Sequence, residues 1–105
     1  MATTYIGMPH AQKAIVSTVA NAANTVITRG LIKRGWVYRI VSDVDVYLDL
    51  ESAATLTSGW YLPAKVIDYM IFGGPDTEGT DVEVNHFGTA AGKISFTPIM
   101  RVQSF

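Results

Sequence analysis

From Val44 to Glu51 apolar and polar side chains alternate, with Val44, Val46, Leu48 and Leu50 on one parity and Asp45, Tyr47, Asp49 and Glu51 on the other. A period of two is that of a β-strand with one buried face, so the aliphatics are expected inward and Asp45, Asp49 and Glu51 outward. Apolar runs recur at Trp36–Val41, Trp60–Phe72, Asp81–Phe87 and Lys93–Ile99, each bounded by Gly, Pro, Ser or Asp. Upstream, KAIVSTVA (Lys13–Ala20) and TVITR (Thr25–Arg29) flank Asn21–Asn24, and their Val, Ile and Thr content with Asn at the junction predicts a hairpin. A helix over Ala11–Ile27 is the competing reading, supported by its alanines and opposed by its many β-branched residues.

Punctuation places the connections. Apolar parity changes at Ser42 and Asp43, which predicts a break or bulge before Val44. Glu51–Gly59 reads as a polar connection with a short strand around Thr55–Thr57. Gly73–Gly79 is the clearest loop, and Gly88–Gly92 joins the last two strands. Met1–Gln12 has little periodicity and reads as an extended N-terminal arm outside a β domain spanning residues 13–105. The fold class is therefore all-β, a single small antiparallel β-sandwich or jelly-roll-like barrel.

Composition sharpens this picture. A chain of 105 residues suits one domain with one core, yet only 16% of its residues are charged while 49% are hydrophobic. Too little charge is present to cover the surface, so burial against other chains is expected, with Trp60 and Tyr61 as leading contact residues. A formal net charge of −1 gives no general attraction for nucleic acid or anionic lipid. No cysteine is present, which removes disulfides, thiolate zinc sites and Cys nucleophiles. Neither a signal peptide nor an apolar run long enough to span a membrane is read in the chain.

Candidate chemistry is sparse. Arg29, Lys33 and Arg34 form a basic cluster, expected as a solvated loop or a contact to an acidic partner. Asp43, Asp45, Asp49 and Glu51 share one strand face, but same-face neighbours lie roughly 6.5–7 Å apart, too far for a tight calcium cage. GxSxG, HExxH and phosphate-loop patterns are absent, so no enzyme, metal or cofactor is expected. His86 is expected on the polar face of its strand, and His10 in the arm could sense pH at an interface. Trp36, Trp60, Tyr61, Tyr69 and Phe72 serve a core or subunit interface on the ordinary reading, and sugar stacking on the alternative one.

Three stretches taken together, VYRIVSDVDVYLDL (Val37–Leu50), ATLTSGWYLPA (Ala54–Ala64) and GKISFTPI (Gly92–Ile99), resemble small β-sandwich virion proteins of tailed bacteriophages. That group includes the decoration, or cement, proteins of capsid exteriors. The resemblance spans roughly residues 36–100. It implies a non-enzymatic structural protein of the virion, assembled in the host cytoplasm, that binds the major capsid protein and itself, commonly as a trimer and sometimes as a dimer. No catalytic residues come with it. Interface candidates from exposure and position are Tyr5, Ile6, Met8 and His10 in the arm, Lys33 and Arg34 in a loop, and Trp60 and Tyr61. A tail, adaptor or fibre-base protein is the nearest alternative, and a carbohydrate-binding module a more distant one.

Overall fold

The computed structural model of the chain describes residues 3–7, 13–72 and 80–104. Nine strands occur among them: β1 (Thr3–Gly7), β2 (Ile15–Val19), β3 (Asn24–Val26), β4 (Trp36–Ser42), β5 (Val46–Leu50), β6 (Trp60–Leu62), β7 (Asp68–Ile71), β8 (Val84–Gly88) and β9 (Gly92–Ser104). They form two antiparallel sheets, a five-stranded one with the path β1-β9-β4-β7 and β2 also on β9, and a four-stranded one ordered β3-β8-β5-β6. From β2 onward the pairs nest: β5 with β6, β4 with β7, β3 with β8, β2 with β9. This is one long hairpin rolled across two sheets, the jelly-roll arrangement.

Strand β9 is the spine of the larger sheet. β2 pairs with its first half, from Ile15↔Phe96 to Val19↔Gly92, and β1 with its second, from Thr3↔Ser104 to Gly7↔Met100. Residues 3–7 of the expected arm are therefore extended and hydrogen-bonded into the sheet. Its other residues, Met8 and His10 among them, lie outside the described residues, as does the loop read at Gly73–Gly79. On the opposite edge β4 pairs with β9 and slips register between Val37 and Tyr38, leaving Ile99 as the extra residue of a bulge.

The rolling changes two readings made from the sequence. The segments around Asn21–Asn24 are strands, as their β-branched content implies, but β2 and β3 do not form a hairpin and no helix occurs there. The turn carries the chain from one sheet to the other. Ala22 takes φ +53° there, and its N–H donates to the Gly88 carbonyl at 2.8 Å. Trp60–Phe72 likewise divides, β6 ending at Leu62 before Pro63 and β7 starting at Asp68 in the other sheet. Thr55–Thr57 is a turn rather than a strand, because Thr55 Oγ1 accepts the Ser58 N–H at 3.1 Å and draws the backbone into a loop.

The break at Ser42–Asp43 is where β4 hands over to β5. Ser42 Oγ accepts the Val44 N–H at 3.3 Å, and Asp43 Oδ1 accepts the Lys93 N–H at 2.8 Å, so two short polar side chains replace ladder bonds at the crossing. Beyond it Val46 and Leu48 are buried, Val44 packs half-buried against the core, and Leu50 is 39% exposed. The alternation thus predicts the central inward residues correctly, while Leu50 emerges at the rim of the sandwich. Tyr38, Ile40, Ile94 and Phe96 from the larger sheet meet Val46, Leu48, Leu62 and Val84 from the smaller one to make the core. Each such side chain contributes about 1.5–3 kcal/mol on burial. Gly88 lets the sheets approach, since a Cβ there would lie 2.0 Å from Val19 Cγ1 and 2.8 Å from the Ala20 carbonyl oxygen.

Candidate functional site

His86 departs most from its expected place. Register sets it opposite Leu48 and Thr25, both inward-facing, so it points into the core with 0% exposure rather than lying on a polar face. His86 Nε2 and Ser17 Oγ share a hydrogen bond of 2.7 Å. Ser17 belongs to β2, so this contact ties the two sheets together. Nδ1 has no partner, and burial lowers the imidazole pKa to about 4. Ser and His at this distance resemble two parts of a nucleophilic triad, but the imidazole is closed to any substrate and has a bare Nδ1 in place of an orienting carboxylate. The arrangement holds a neutral histidine between sheets.

The basic cluster is consumed within the fold. Both Arg29 guanidinium nitrogens Nη1 and Nη2 donate to Glu51, Arg34 Nη2 reaches Glu51 Oε1 at 3.2 Å, and Lys33 Nζ pairs with Asp81. Glu51 Oε1 also accepts the Glu83 N–H at 3.2 Å. Hydrogen bonding from Arg29, then from the Glu83 N–H, holds the Glu51 carboxyl below its ordinary pKa. Arg29, Lys33 and Arg34 thus lie in a solvated loop, as expected, and their ion pairs with Glu51 and Asp81 are exposed, while Ile32 between Leu31 and Lys33 is fully buried. Two of the acidic residues grouped with Glu51 in the sequence are also occupied: Asp45 Oδ1 accepts the Ala64 N–H at 2.7 Å and Asp49 Oδ1 the Leu50 N–H at 2.8 Å. Among the described residues no three His, Cys, Asp or Glu side chains gather as a metal site.

Trp60 and Tyr61 lie on β6, 44% and 45% exposed. Among the described strands β6 pairs only with β5, and β7 only with β4, and the two consecutive strands leave both sheets open along one flank. Trp60 pairs with inward-facing Leu48, so its indole lies on the inner face at the mouth of the sandwich. There Leu48, Leu50, Trp60, Met70 and Phe72 line a groove of about 290 Å³. Tyr61 stands on the outer face, its ring 5.2 Å from that of Tyr47. Of the interface candidates in the arm, Tyr5 and Ile6 sit in β1 at register with Val102 and Arg101.

A second concavity, unmarked by any motif, lies on the outer face of the five-stranded sheet. Arg39 and Val41 from β4, Lys93 and Ser95 from β9, and Lys65 and Ile67 from the β6–β7 connection surround about 390 Å³. Lys65 is held over it by its N–H, which donates to the Ser42 carbonyl at 2.6 Å, with φ at +62°. These cations are scattered through the sequence, so only strand pairing brings them together. No family model, curated protein or solved structure matches the chain.

Proposed function

We propose that the chain is a structural assembly protein, a decoration subunit on the exterior of a tailed-phage head that binds the major capsid protein and associates with itself, as a trimer by the resemblance of residues 36–100. One observation supports an assembly role above others. Four large apolar side chains, Trp60, Tyr61, Tyr69 and Ile71, are exposed on the two strands that form the open flank, and Leu56, Val66 and Ile67 are exposed in the segments beside them. Edge strands of natural monomers are blunted by charge or covered, whereas this flank offers aromatic and aliphatic groups beside unpaired backbone. Covering it with another chain removes both liabilities. The jelly roll itself hosts many activities and adds only a permissive scaffold.

Such a subunit works by mass action: binding the assembled lattice and not the loose subunits stabilises the shell by its binding free energy, and several weak contacts per oligomer multiply the affinity. Particles assembled without the chain should keep their lattice geometry but rupture or release DNA at lower temperature, and purified chain should restore them. Labelled chain found only at the tail or neck would replace decoration by a tail or adaptor role. The sugar-binding reading draws on one further feature, the row Tyr61–Tyr47–Phe87 set side by side across β6, β5 and β8, and glycan-array binding abolished by Tyr61→Ala would favour it.

A further inference from the structure

We propose that the depression bounded by Arg39, Lys65 and Lys93 binds an acidic peptide segment of a partner protein. The inference goes beyond the assembly role and does not require any particular particle. Arg39, Lys65 and Lys93 make no side-chain hydrogen bond or ion pair with another described residue, whereas Arg29, Lys33 and Arg34 are all engaged. Three cations and Asp43 give the rim a formal charge of +2 on a chain of −1, so the rest of the molecule carries −3. Asp43 offsets one of the three positive charges, and its Oδ1 accepts the Lys93 N–H at 2.8 Å. The site is thus a positive concavity on a negative body, which draws and orients an anionic ligand.

The lining decides the kind of anion. Val41 and Ile67 lie among the cations, with the Ser95 hydroxyl beside them. A carboxylate-bearing segment with Leu or Val next to its Glu or Asp satisfies both surfaces, while a phosphate or a nucleic-acid backbone leaves the apolar part uncovered. Nucleic acid also needs a continuous cationic track, which three cations around one depression do not supply. A volume of about 390 Å³ accommodates a few side chains, not a folded domain.

Calorimetric titration of the full chain with a synthetic peptide of alternating Leu and Glu tests this, with the Leu–Lys counterpart, inorganic phosphate and single-stranded DNA as parallel probes. The Leu–Glu peptide should bind, more weakly at physiological than at low ionic strength, and the others should not. Lys65→Gln should lower its affinity roughly threefold and the combined Arg39→Gln, Lys65→Gln, Lys93→Gln variant at least roughly tenfold, with an unchanged denaturation midpoint because these side chains have no partner to lose. Absence of Leu–Glu binding, equal affinity of the triple variant, or preference for the Leu–Lys peptide, phosphate or DNA would each overturn the proposal.

Discussion

His86 stays neutral inside the sandwich because burial lowers its pKa to about 4, against an ordinary 6.5. Between those values the unfolded chain takes up a proton that the folded chain refuses, so stability rises with pH. The contribution is complete above about pH 6.5, falls as the pH drops toward 4, and is level below that. A gap of this size corresponds to about 3 kcal/mol. Denaturant titrations at several pH values should show wild type losing that much more than His86→Gln, which keeps a polar partner for Ser17 but does not titrate. Parallel pH profiles for the two would show that the imidazole is not enclosed. The apolar counterpart is Leu48, 3% exposed opposite His86, where Leu48→Ala should cost about 2–5 kcal/mol by the same measurement. Inward placement of Leu48 is readable from alternation alone, whereas that of His86 is not, since a histidine on an apolar parity gives no sign of whether the facing sheet supplies a hydroxyl.

Strands β6 and β7 are three and four residues long and form the open flank. Of their exposed rings that of Tyr69 is the least buried, 58% exposed, so Tyr69→Ser should weaken the proposed self-association roughly tenfold or more, as truncation of an aromatic anchor does. Light scattering across micromolar concentrations follows this, and denaturation should change by no more than about 1 kcal/mol. A wild-type monomer of 11.4 kDa throughout would confine association to the particle. Element identity was legible for most strands, because β-branched runs and alternation report on burial within one strand. Pairing was not: Lys13–Arg29 contains a strand, a turn and a strand, which is also how a hairpin reads. Sheet exchange at Ala22 and Pro63 depends on which distant partner, β9 or β8, β5 or β4, offers the better apolar face.

At the scale of the whole molecule, low charge and abundant apolar residues go with large apolar side chains left exposed, among them Trp60, Tyr61, Tyr69 and Ile71 on the edge strands β6 and β7. The cations were redistributed by the fold. A cluster visible as Arg29, Lys33 and Arg34 is paired with Glu51 and Asp81 from other parts of the chain, while Arg39, Lys65 and Lys93, whose side chains pair with no other described residue, converge from three separate segments. By itself the sequence determined that the chain is all-β and that Val46 and Leu48 of β5 face a core, because these follow from local propensity and a period of two. Tertiary structure alone decided the nesting of strands into a jelly roll, the enclosure of His86 against Ser17, and which charges cancel and which remain available. Those outcomes depend on contacts between residues far apart along the chain, whose choice is made by packing two sheets face to face rather than by any neighbouring residue.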